Sequence, residues 1–71
     1  MLITEQLKNK SFTHNENEVC TFILQNLQEI ENLSILTIAQ ETYTSASTTV
    51  RLSKKPGFHG WVELKNALIK E

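Results

Sequence analysis

The segment between Thr44 and Gly60 combines hydroxyl side chains with cations and has the chemistry to bind a polyanion. It contains Arg51, Lys54 and Lys55 and no Asp or Glu. Ser and Thr hydroxyls can donate to base edges or accept from them, and Arg and Lys bind phosphates or, for Arg, a guanine edge. The segment therefore predicts contact with a nucleic-acid duplex; the alternative is an ordinary solvated helix end, where three cations also suit the helix dipole.

A helix over 46–55 would gather most of these groups on one surface. Its small residues would let it enter the major groove, where apolar groups can touch thymine methyls. The i, i+3 pair Thr49 and Leu52 is predicted to face inward. The predicted DNA-binding residues are Ser45, Ala46, Ser47, Thr48, Val50, Arg51, Lys54 and Lys55.

The overall charge conceals this basic patch. The chain of 71 residues has a net charge of −1. Residues 1–32 carry two lysines against five glutamates, whereas residues 33–71 carry five cations against three glutamates. Because phosphates respond to local charge, the acidic N-terminal half does not argue against DNA binding.

The elements that must position this surface are short helices. Apolar residues recur mostly at helical spacing. We predict a first helix ending near Lys10, a second over 14–26, a turn of α or 3₁₀ helix over 27–33, a third over 35–42, a fourth over 46–55 and a last one starting at 60–61.

Capping residues delimit these helices. Thr13 and Glu16 form a predicted capping box, and Ser34 and Ser45 are predicted N-caps. The pair Pro56-Gly57 is expected to end the fourth helix. The predicted fold is all-α: one domain over 1–71, a compact bundle of about five short helices containing a helix-turn-helix at 34–55.

Composition excludes several other classes. The single cysteine, Cys20, allows no internal disulfide framework and fits a reducing cytosol. We expect its side chain to be buried as a small apolar group. No apolar run approaches a membrane span of about 18 residues, and the first residues lack a signal-peptide pattern. His14 and His59 have no partners at ligand spacing, so we expect no metal and no cofactor. The expected location is the cytoplasm.

Three runs in the second half resemble the N-terminal domain of the RpiR family of bacterial regulators of sugar and amino-sugar catabolism. The runs are 34–42, 45–55 and 57–65, and they include the pattern S-x-x-T-x-x-R-x-x-K-K-x-G-F-x-G starting at Ser45. The similarity extends from about Thr13 to Leu68. It implies sequence-specific binding of double-stranded DNA by a transcription regulator, and it implies no enzymatic activity.

The resemblance also implies partners beyond this chain. Members of the family join this domain to a C-terminal sugar isomerase (SIS) domain that binds a phosphosugar effector and supplies most dimer contacts. No such domain fits into 71 residues. The expectation is therefore a homodimer for the full-length regulator, and a monomer or weak dimer for the DNA-binding part.

Three departures from the family and one alternative function accompany this prediction. Tyr43 stands where the family usually has Gly, in the turn before the fourth helix. Thr44 and Thr49 replace commonly apolar residues, and Pro56 replaces a usual Leu. The alternative is a helical protein-interaction module without DNA binding, whose support is apolar side chains that a small core would not accommodate: Leu2, Ile3 and Leu36. An enzyme has little support, because no nucleophile–base pair or phosphate-cradling Gly-rich loop is present.

Overall fold

The computed structural model describes residues 2–9 and 11–71, and within these ranges the regular secondary structure is helical, without a strand. This confirms the all-α prediction. The elements in chain order are α1 (Ile3–Asn9), α2 (His14–Gln25), a 3₁₀ helix (Leu27–Asn32), α3 (Ile35–Thr42), α4 (Ala46–Lys54) and α5 (Trp61–Lys70). Helix α1 ends at Asn9, next to the predicted end near Lys10. Lys10 itself lies outside the described residues.

Local side-chain caps fix where α2 and α3 begin. The Thr13 hydroxyl accepts from the backbone N–H of Glu16, and the Glu16 carboxylate accepts from the N–H of Thr13, which confirms the capping box. Ser34 Oγ accepts from the N–H of Thr37 and caps α3 as predicted. Both helices are thus specified by residues within one turn of their first position.

One apolar core holds the five α-helices together. Trp61 is 4% exposed, and its indole Nε1 donates to the carbonyl of Leu33 at 2.9 Å, which joins α5 to the end of the 3₁₀ helix. Burial raises the pKa of the Cys20 thiol to about 12, and the carboxylate of Glu16 adds to the rise. The thiol is therefore protonated at neutral pH and packs as a small apolar group, as predicted. The buried apolar residues are Leu7, Val19, Cys20, Ile23, Ile30, Leu33, Ile38, Leu52, Trp61, Leu64 and Leu68.

The predicted helix-turn-helix is present: α3 is joined to α4 by a turn at Tyr43 and Thr44, and Ser45 is the N-cap residue of α4. Helix α4 packs against α3, and both pack against α2. The turn depends on Tyr43, which has left-handed backbone angles of φ 57° and ψ 39° and ends α3. The N–H of Thr44 then donates to the carbonyl of Ala39, which closes the end of α3. The geometry that the family usually gives to Gly is thus kept with a tyrosine.

We expect Tyr43→Gly to raise the free energy of unfolding by about 1 kcal/mol, because Gly has no Cβ to strain at positive φ. The lost side chain costs little, since Tyr43 is 96% exposed. Urea denaturation monitored by circular dichroism measures the change. Tyr43→Ala is the control: it removes the same ring and keeps the strained Cβ, so its stability should stay near that of the wild type.

The end of α4 differs from the prediction by one residue. The helix ends at Lys54 and not at Lys55, which is its C-cap. Gly57 has φ +108°, so the left-handed exit predicted for the Pro56-Gly57 pair is confirmed. The N–H groups of Gly57 and Phe58 close the end of α4 on the carbonyls of Lys54 and Ser53. Phe58 is half-buried against the core, so the connection to α5 is anchored.

Helices α1 and α5 meet away from the helix-turn-helix. The carboxylate of Glu71 accepts from the Thr4 hydroxyl at 2.8 Å and from the backbone N–H of Ile3. A groove beside this contact is lined by residues of α1, the 3₁₀ helix and the end of α5. None of the helices in the described ranges has the length and hydropathy that crossing a bilayer requires.

Candidate nucleic-acid interface

One stripe of α4 faces solvent and carries polar and basic groups. Ser47, Arg51 and Lys54 are exposed and follow one another at i, i+4 and i+7, so they lie along one side of the helix. Ala46 and Val50 are half-buried at the edge of this stripe. We call these five residues the α4 face.

The predicted placement of Thr48 on this face is wrong. Thr48 is 2% exposed and lies on the buried side of α4 with Thr49, Leu52 and Ser53. The reason is helical geometry: Thr48 and Leu52 are four residues apart, so a helix that buries Leu52 turns Thr48 inward as well. The inward placement predicted for Thr49 and Leu52 is confirmed.

Ser45 occupies the predicted N-cap position of α4 but does not cap it with its side chain. Its backbone is extended, and its carbonyl accepts from the N–H of Thr48 at 3.0 Å. Its hydroxyl makes no hydrogen bond to a backbone N–H of α4 and lies 3.4 Å from the Thr48 hydroxyl. Ser45 is exposed, so its hydroxyl is accessible beside the first turn of α4.

Lys55, predicted as a phosphate contact, points at α2 and not along the α4 face. Its ammonium donates to Glu16 Oε1 at 2.6 Å and to the Ser11 carbonyl at 3.0 Å. It also lies 4.9 Å from the centroid of the Phe12 ring, in a cation–π contact. The cation is therefore held by the segment that begins α2.

The comparison with protein families agrees with this geometry. All of residues 1–71 match the family described as the helix-turn-helix domain, rpiR family. The chain belongs to this family. The resemblance inferred from the sequence is thereby confirmed, and the rpiR-family domain is a DNA-binding domain of transcription regulators.

In the rpiR-family domain Glu16 forms charged contacts with Lys55 and Arg51 that its sequence pattern did not predict. Its side chain is 3% exposed, with Oε1 bound to Lys55 and Oε2 3.8 Å from Arg51 Nε. We predicted Glu16 only as a capping residue. Lys55 is 39 positions away along the chain, and no local pattern signals such a pairing.

The environment of Glu16 in the rpiR-family domain favours its ionised form. The hydrogen bond from Lys55 is the largest influence and lowers the pKa of the carboxyl below its usual 4.5. Burial opposes this, whereas the N–H of Thr13 and the charge of Arg51 act in the same direction as Lys55. Glu16 is therefore a carboxylate at neutral pH, paired with cations of the α4 region.

We expect Glu16→Gln to lower the free energy of unfolding by about 2 kcal/mol at pH 7, because a charged hydrogen bond is lost. Since the folded pKa lies below the usual 4.5, this stabilisation is fully present above that pH and is lost as pH falls through the folded pKa. Urea midpoints of wild type and variant should therefore converge as the pH is lowered from 7 through the folded pKa of Glu16. A difference that stays constant as the pH falls, until the wild-type domain itself unfolds, would contradict the assignment.

The part of the chain that the structure describes contains no group of three or more His, Cys, Asp or Glu side chains arranged to hold a metal ion. His59 and His14 of the rpiR-family domain each lie beside a glutamate one helical turn on, Glu63 and Glu18 respectively, at the surface. Exposed pairs of this kind contribute little to stability. The cations on or beside α4 are thus the chemically distinctive groups of this domain.

Proposed function

We propose that this domain binds double-stranded DNA sequence-specifically by placing α4 in the major groove. The α4 face carries the proposal, because it combines small side chains, a hydroxyl and two cations on one exposed side of a short helix. The helix is anchored from behind by Leu52 and Ser53, both 0% exposed. The side of α4 that carries the base-reading groups is thus free while the other side is fixed.

Each group on the α4 face has a role in this proposal. Arg51 contacts a guanine edge or a phosphate, and Lys54 contacts a phosphate. The hydroxyl of Ser47 reads a base edge, and the methyl groups of Ala46 and Val50 touch thymine methyls. The accessible hydroxyl of Ser45 binds a phosphate near the start of α4. Thr48 is buried and has no base contact in this arrangement.

We infer the biological setting from membership of the family. The domain would serve a bacterial regulator of sugar or amino-sugar phosphate metabolism in the cytoplasm, joined to an SIS domain that binds a phosphosugar. One such domain offers a small interface, so useful affinity requires two copies on one operator, spaced by about one helical turn or a multiple of it. The homodimer would be held mainly by the SIS domain, and the isolated DNA-binding domain would be a monomer or weak dimer.

Selection from a random duplex library tests the proposal directly. We expect enrichment of a defined sequence, and an affinity whose logarithm falls with the logarithm of salt concentration by about 0.9 per phosphate contact. Fluorescence anisotropy with the selected duplex and with a scrambled duplex of the same composition measures both affinities. No enrichment, or a salt-independent affinity, would overturn the proposal.

A protein-interaction module remains the second candidate, and exposed apolar side chains favour it. Leu2 is 54% exposed and Leu36 is 66% exposed, whereas Ile3, also predicted to be surplus to the core, packs against it. A complex with a protein that is insensitive to salt, together with the absence of duplex binding, would support this candidate. DNA binding is preferred because it accounts for the basic groups of α4 and for the family.

A further inference from the structure

The carboxylate of Glu16 makes more contacts than a helix cap requires. A capping box needs only the hydrogen bond from the N–H of Thr13, at 3.0 Å. Here the same carboxylate is almost fully buried, accepts from Lys55 and lies beside Arg51. A buried carboxylate is costly unless cations and hydrogen bonds compensate it. Burial of the Glu16 carboxylate therefore requires the cations of the α4 region. The contacts with Glu16 in turn restrict the positions of the Lys55 and Arg51 side chains.

Glu16 constrains the two cations differently. The Lys55 ammonium has three donors, and two of them are engaged by Glu16 Oε1 and the Ser11 carbonyl. The Arg51 side chain is 59% exposed, and its Nε lies 3.8 Å from Glu16 Oε2. Arg51 Nη2 is 3.4 Å from the Thr48 hydroxyl, and within the described residues Nη1 has no hydrogen-bond partner. Lys55 is thus held against α2, while most of the Arg51 guanidinium faces outward.

Lys54 provides the comparison within the same turn. It is exposed, lies on the α4 face and has no ion pair or hydrogen bond from its side chain within the described ranges. Lys54 and Lys55 are adjacent in sequence and identical in chemistry, but they point to different surroundings. A difference in their behaviour toward DNA would therefore come from these surroundings, in which Glu16 makes the shortest contact with Lys55, and not from the type of side chain.

We propose that Glu16 is a positioning residue for DNA binding: it holds Lys55 as a brace between α2 and the end of α4, and it orients the Arg51 guanidinium toward the duplex. The inference rests on the proposed function. In this arrangement Lys55 makes no phosphate contact, and sequence discrimination by Arg51 depends on a carboxylate that does not touch DNA.

The salt dependence of duplex binding separates the two lysines. Lys54→Met should reduce the slope of log affinity against log salt by about 0.9, because one phosphate contact is lost. Lys55→Met should leave the slope of the wild type unchanged. In a Glu16→Gln background the Lys55 ammonium is released, so adding Lys55→Met should then reduce the slope. Equal reductions of the slope by Lys54→Met and by Lys55→Met, each made in the wild-type chain, would contradict the role of Lys55 as a brace.

Sequence discrimination tests the orientation of Arg51. Gln keeps the capping hydrogen bond to Thr13 and removes the charge, so Glu16→Gln isolates the ion pairs. We expect the ratio of affinities for the selected and scrambled duplexes to fall about tenfold, the size of one base contact. In an Arg51→Ala background Glu16→Gln should leave this ratio unchanged. An unchanged ratio with Arg51 present would overturn the positioning role.

A measurement on the wild-type chain removes any dependence on the folding of variants. In ¹⁵N spectra of lysine ammonium groups, we expect the Lys55 signal to be protected from exchange before and after addition of the selected duplex, and the Lys54 signal to shift on addition. A shift of Lys55 with loss of its protection would contradict the brace. Failure of the wild-type chain to bind any duplex would instead refute the proposed function, and this inference with it.

Discussion

Replacing Arg51 with alanine is expected to weaken binding of the selected duplex by about 10-fold to 100-fold, because an arginine contact to a guanine edge contributes roughly 1–3 kcal/mol of discrimination. Binding of a scrambled duplex should weaken less, since only a phosphate contact is then lost. Fluorescence anisotropy at fixed salt gives both affinities. The fold should survive, because the Arg51 side chain is 59% exposed.

Lys70→Ala is the matched control for this prediction. It removes the same formal charge from the exposed last turn of α5. Its neighbour Glu71 binds the start of α1, so Lys70 lies away from the helix-turn-helix. Binding should be almost unchanged. If Arg51→Ala and Lys70→Ala weakened both duplexes equally, the effect would be one of net charge, and the assignment of Arg51 to the interface would fail.

Replacing Leu52 with alanine is expected to have the largest effect on stability. Leu52 is 0% exposed and lies on the side of α4 that packs against the core. Truncating a fully buried leucine costs about 2–5 kcal/mol, whereas a domain of this length has roughly 4–10 kcal/mol in total. Much of the stability would be lost, and α4 would lose the anchor that holds its face outward.

Urea denaturation followed by the fluorescence of Trp61, the one tryptophan of the chain, measures this loss. Leu36→Ala is the control, because it deletes the same atoms from a leucine that is 66% exposed. Its free energy of unfolding should change by less than about 0.5 kcal/mol. Equal losses in the two variants would mean that α4 is not seated on the core as described.

These two predictions address different parts of the same arrangement. Arg51 acts at the surface that we propose to meet DNA, while Leu52 lies one residue later and faces the core. A short helix with a buried side and an exposed side can present base-reading groups only as long as its buried side is held. The thin core of a small domain makes this dependence strong.

The sequence by itself determined the elements of this domain and its family. The start of α2, the bounds of α3 and the stop at Gly57 depend on interactions within one or two turns of chain. Such signals include a capping box, an N-cap serine and a glycine at positive φ, and they can be recognised locally. The motif beginning at Ser45 is a continuous run of residues, so it too could be recognised without knowing the packing.

Only the tertiary structure decided which of the predicted residues are available to bind DNA. The orientation of α4 about its own axis turns Thr48 into the core, although its hydroxyl suits a base contact as well as that of Ser47 does. The engagement of Lys55 depends on Glu16, which is distant along the chain and reaches it only when α2 packs against α4. Burial and long-range charge pairing arise from the packing of whole helices, and for this reason local sequence patterns do not contain them.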